Sequence, residues 1–161
     1  MAIINKLSEQ GITINFQLLY VLLKEELINS PSLFSSLNKS AFEDLNQDQI
    51  NQLYLAEDAP TEDLCNAIKE ILSITNSEYE ALRELIAIAD MYSDLNKDID
   101  VQTQLNQIEY WWVKMGRPTH WKNFIYYMPS DKNGSPDKII SKFKIYAEDY
   151  LRKHSSSSDL I

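Results

Sequence analysis

The stretch NFQLLYVLLKEELI, residues 15–28, decides the fold class. Phe16, Leu19, Leu22, Leu23 and Leu27 recur mostly at spacings of three and four, which is the period of one helix face. Asn15 stands where its side-chain oxygen can accept a hydrogen bond from the first helical turn. The spacing predicts a helix from Asn15 to about Ile28.

The same grammar runs outward in both directions. Residues 3–10 read as a short helix stopped by Gly11. Ser30 and Pro31 read as a cap and a first-turn proline opening a short helix through Leu37. Ser40, with Glu43 three residues on, reads as a capping box. Ile50, Leu53 and Tyr54 mark the next helical face, and Pro60 opens a helix carrying Leu64, Cys65, Ile68, Ile71 and Leu72. Asn76 caps a longer helix to about Leu95, with Tyr79, Leu82, Leu85, Ile86 and Ala89 facing inward. Residues 99–115 form another, ended by Gly116. Pro118 restarts a helix with Trp121, Phe124, Ile125 and Met128, and Ser135–Pro136 open the last one after the loop MPSDKNGSPD.

Composition agrees. Only three glycines occur in 161 residues, too few for the tight turns of barrels and sandwiches. The expected fold is all-α: an irregular multi-helix bundle or short helical solenoid of roughly eight to ten helices with short connections. A chain of 161 residues suits one domain, placed at residues 1–154, with the Ser-rich stretch 155–161 as a flexible tail. No apolar run approaches the roughly 18 residues of a membrane span. The start MAIINKLSEQ lacks the pattern of a secretory signal. The single Cys65 has no internal partner, and a cytoplasmic location is expected.

The net charge of −9 is unevenly spread. Residues 1–100 hold 18 Asp+Glu and 6 Lys+Arg, whereas residues 101–161 hold 6 and 9. The acidic first part disfavours phosphate backbones and favours a basic partner, although acidic surfaces also serve solubility alone. Its densest run is Glu43, Asp44, Asp48, Glu57, Asp58, Glu62 and Asp63, with no Lys or Arg among them, and these residues are the expected partner-binding set.

Catalytic and metal-binding patterns are scarce. Cys65, His120 and His154 are too far apart in sequence to read as a zinc site. His120, in PTHWKNF, is the one candidate general base, set against the plainer reading of a surface or half-buried histidine. Asp94, Asn96 and Asp98 alternate like calcium ligands, but Ile99 and Leu105 occupy the positions needing glycine and glutamate. Asp131, Asn133 and Ser135 fail likewise, with Pro136 and Lys142 in those positions. No glycine-rich phosphate loop or nucleophile elbow is present. The expectation is a non-enzymatic protein with no cofactor and no metal. Trp111, Trp112 and their aromatic neighbours read mainly as core, with Trp111, Tyr127 and Asp131 as a secondary candidate surface. Adjacent tryptophans point about 100° apart on a helix, so both need not be buried.

The segment IEYWWVKMGRPTHWKNFIYYMPSDKNGSPDK, residues 108–138, resembles the C-terminal part of a bacterial helical family known as a domain of unknown function. The resemblance rests on Phe124, the Tyr-Met-Pro element Tyr127–Met128–Pro129, Gly134 and Pro136, with a looser match over residues 14–90. A tryptophan expected near the first helix is absent. Proteins similar to this one include immunity proteins of contact-dependent growth inhibition and related toxin systems. The resemblance implies a cytoplasmic inhibitor that occludes a cognate toxin domain, often a nuclease, without contacting nucleic acid or membrane itself. A helical adaptor is the alternative reading, and a hydrolase or nuclease using His120 is a third.

Overall fold

A computed structural model describes residues 2–36, 45–95, 97–125 and 135–154. Helix covers 77% of them and no strand occurs among them, so the chain is all-α. In order, the described helices are α1 (Ala2–Glu9), α2 (Phe16–Lys24), α3 (Ser30–Ser36), α4 (Gln47–Leu55), α5 (Thr61–Leu72), α6 (Asn76–Leu95), α7 (Val101–Lys114), a 3-10 helix (Thr119–Phe124) and α8 (Pro136–His154). None is long and apolar enough to cross a membrane. The chain divides into two compact units, residues 1–8 with 13–82 and residues 9–12 with 83–161. Helix α6 begins in the first unit and continues in the second. The Ser40–Glu43 capping box, the loop at 128–134 and the tail at 155–161 lie outside the described residues.

In the first unit α2 is buried around its whole circumference. Phe16 and every residue from Leu18 to Leu23 are buried. A helix apolar on all sides must have neighbours on all sides, and α3 and α5 supply two of them. Asn15 caps α2 as its sequence implies, accepting from the Leu18 N–H at 2.8 Å. The helix ends earlier than Ile28, however. Glu26 takes a left-handed φ of 62°, and the N–H groups of Leu27 and Ile28 turn back to the Leu22 carbonyl. The cap of α3 is Asn29, not Ser30: its side chain accepts from Ser32 N–H at 2.9 Å. Thr75 likewise precedes Asn76 as the cap of α6. Leu53 of α4 meets the α5 residues' side of the core, where Leu64 and Ile68 are buried with it.

In the second unit α7, α8 and the 3-10 helix pack together. Asp100 caps α7 through Thr103 N–H at 2.8 Å. Gly116 ends it at φ 85°, which suits glycine, and Arg117 follows at φ 57°. The expected helix after Pro118 is only a 3-10 segment closing at Phe124, with Ile125 extended. Trp121, Phe124 and Phe143 pack edge to face there, centroids 5.6 and 5.2 Å apart. Such contacts add roughly 0.5–1.5 kcal/mol each beyond area burial, so ring packing holds a segment too short to be a stable helix alone.

Candidate functional site

The acidic run is built on α4, the turn after it and the start of α5. Asp48 lies in the first turn of α4, whose N-terminus is closed by a reciprocal Asn46–Gln49 capping box. Backbone bonds from Ala56 to Gln52, Glu57 to Tyr54 and Ala59 to Ala56 tie the turn that carries Glu57 and Asp58. Pro60 gives α5 no side-chain cap, and Glu62 and Asp63 occupy its first turn. Carboxylates there offset the positive end of the helix dipole. Part of the acidity therefore has a local structural role.

All five of these carboxylates are exposed, and none forms an ion pair among the described residues. The sequence carries no Lys or Arg between residues 45 and 68 to neutralise them. Glu43 and Asp44, the other two expected members, lie outside the described residues. An exposed apolar pair sits within this set. Tyr54, expected on the buried face, is 51% exposed, and Leu55 is 85% exposed. Tyr54 keeps one edge on the protein through Phe34, with ring centroids 5.6 Å apart.

In the second unit the side chains meet at Glu84. Its Oε1 accepts from Tyr146 Oη at 2.9 Å and from Trp121 Nε1 at 3.3 Å, and lies 2.9 Å from His120 Nε2. Burial pushes the Glu84 carboxyl up, but the bonds from His120, Tyr146 and Trp121 outweigh that and hold it below its ordinary value. Burial, and then the Glu84 carboxylate, push the Tyr146 phenol well up; Tyr150 is raised for the same two reasons. A carboxylate beside a half-exposed histidine is one element of general-base chemistry. His120 has Glu84 as its hydrogen-bond partner among the described residues.

Of the secondary surface expected from sequence, Trp111 is buried. Trp111 is 2% exposed, because its ring closes against α6 and its Nε1 donates to Asp90 at 3.3 Å. Trp112 is buried as well, donating to the Pro118 carbonyl at 3.0 Å. Two adjacent tryptophans are both core because elements cover α7 on both faces. The exposed ring is Tyr110, with Lys114 over it at 5.6 Å. Tyr127 and Asp131 lie outside the described residues. No group of three or more His, Cys, Asp or Glu side chains that could hold a metal occurs among the described residues. Cys65 is buried, which raises its thiol pKa.

Two features went unnoticed in sequence. A helical wheel would have found Leu55, since it falls seven residues after Asp48 on the polar stripe of α4. Nothing local marks Glu84, whose partners are 36, 37 and 62 residues away.

These features define an all-helical protein whose first unit carries an exposed run of carboxylates on α4, its turn and α5. The chain belongs to DUF2247, a family described as an uncharacterized protein conserved in bacteria, which matches residues 4–155. No curated protein and no solved structure matches it.

Proposed function

We propose that this protein is an immunity protein, which binds a bacterial toxin domain, a basic nuclease, and blocks it by covering its working surface. The observation that carries the reading is the set of exposed carboxylates Asp48, Glu57, Asp58, Glu62 and Asp63 on α4, its turn and α5, which form no ion pair among the described residues. A nuclease presents cations to a polyanionic substrate, and an acidic surface competes for them. Inhibition by occlusion requires no catalytic group, cofactor or metal, and the protein acts in the cytoplasm without binding nucleic acid or membrane. The test is co-expression with the toxin domain encoded beside this gene. Growth restored by the wild-type chain supports the reading; cells that die with or without it refute it.

One observation favours a second reading, a hydrolase. The Glu84–His120 contact of 2.9 Å orients an exposed imidazole. A hydrolytic activity abolished by His120→Ala, in protein that still folds, would move the assignment there. A helical adaptor with an unrelated protein partner is separated from an immunity protein by the same co-expression experiment.

A further inference from the structure

We infer that the C-terminal end of α4 is the apolar anchor of the interface, with Leu55 and Tyr54 entering an apolar recess that Lys and Arg side chains surround on a basic protein partner. The inference rests on the proposed reading only in that the partner is a protein with a basic surface. Leu55 is the most exposed large apolar residue among those described, and Tyr54 next to it is half-exposed. Isolated exposed apolar residues are ordinary. This pair differs in where it stands. Asp48, seven residues before Leu55, shares its helix face, and the exposed Asn51 and Gln52 lie between them. Glu57 and Asp58 follow within three residues, in a turn fixed by backbone hydrogen bonds. Glu62 and Asp63 begin the helix that packs beside α4. Carboxylates thus precede and follow an apolar centre, as in interfaces with a dry core and a charged rim.

The charge also selects the occupant. A second copy of this chain would set like carboxylates against one another around Leu55, which costs energy at a desolvated contact. An anionic membrane surface or a nucleic acid is repelled for the same reason. A protein surface rich in Lys and Arg is the complement. The backbone beneath the anchor is firm, since Leu53 is buried and the α4 end is closed by bonds from Ala56 to Gln52 and Leu53. Two roles then separate. The carboxylates set how fast the partner arrives, and Leu55 sets how long it stays.

The experiment places the photo-crosslinking residue p-benzoylphenylalanine at position 55 of the full chain in the source bacterium, with position 145 as control. Ile145 is also well exposed, at 68%, but lies on α8 in the other unit. The expected adduct forms at 55 and not at 145, and mass spectrometry identifies it as a domain with excess Lys and Arg. That domain is then purified and its binding kinetics are measured. Leu55→Ala should speed dissociation about tenfold with association within twofold of wild type, while Glu57→Lys with Asp58→Lys should slow association instead. Unchanged melting temperatures show that the variants fold. No adduct at 55, an adduct to an acidic protein, or dissociation indifferent to Leu55→Ala each overturns the inference. The identity of the adduct separates this inference from the functional reading. A basic partner that is no toxin would keep the anchor and remove the immunity assignment. A toxin domain whose release ignores Leu55→Ala would do the reverse.

Discussion

Glu84→Ala removes the acceptor that three side chains of the second unit share. Trp121 is fully buried, so its Nε1–H, now 3.3 Å from Glu84 Oε1, would lose its partner away from water. An orphaned buried donor costs about 1–3 kcal/mol, and hydrogen bonds to a charged group about 1.5–3 kcal/mol each. Tyr146 and His120 recover part of their loss, because both reach solvent. The net destabilisation is therefore about 2–3 kcal/mol, a fall in Tm of roughly 5–10 °C for a chain of this size. Glu84→Gln keeps an acceptor oxygen and loses the charge, and costs about half as much. The pH dependence follows from the direction of the shift. The folded state holds the Glu84 carboxyl below its ordinary 4.5, so its stabilisation is complete above that value and fades as pH falls through the lower, folded-state pKa. Glu84→Gln should flatten that acid limb. Urea unfolding followed by tryptophan fluorescence is the assay, because Trp111, Trp112 and Trp121 all lie in the second unit. A Glu84→Ala protein within about 0.5 kcal/mol of wild type, the size of an ordinary surface substitution, would refute the reasoning.

Ser73 and Glu26 hold left-handed backbone at φ 51° and 62°, so Ser73→Gly and Glu26→Gly should each raise stability by about 0.5 kcal/mol in denaturant melts; a loss at both would show that the strain is imaginary. Asp100 accepts from Thr103 N–H and Oγ1–H, and Asp100→Ala should cost about 1 kcal/mol in the same assay. Tyr20, Tyr146 and Tyr150 have raised pKa values, the last two furthest, so in an absorbance titration these three of the nine tyrosines should ionise late, Tyr146 and Tyr150 only as the protein unfolds in alkali. Reversing Glu57, Asp58, Glu62 and Asp63 to Lys should slow association with the proposed toxin partner and weaken its salt dependence without unfolding the chain; association at the wild-type rate at low and high salt would reduce this face to a solvated one.

Helix existence was legible where a periodic apolar stripe met a capping residue, as at Asn15. Boundaries were less so, because they turn on one backbone angle. Glu26 in the left-handed region ends α2, and no preference of glutamate announces it. The 3-10 segment was misread as a continuing helix because Trp121, Phe124 and Ile125 have helical spacing, whereas their burial against α8 needs only one tight turn. The tryptophans show the same limit: sequence gives the angle between Trp111 and Trp112 but not that Asp90 and Pro118 wait on both sides. The acidic set was readable because charge is a property of composition. The Glu84 cluster was not, because tertiary packing alone brings residues 84, 120, 121 and 146 together.

The most direct measurement is a titration of the proposed partner, the purified nuclease domain encoded beside this gene, with this protein, reading DNA or RNA cleavage at fixed nuclease concentration. Inhibition by contact predicts activity falling linearly to zero at one equivalent, with inhibition developing more slowly when the Lys-reversed variant replaces the wild-type chain at the same concentrations. Cleavage that continues unchanged through several equivalents of wild-type protein would contradict the account.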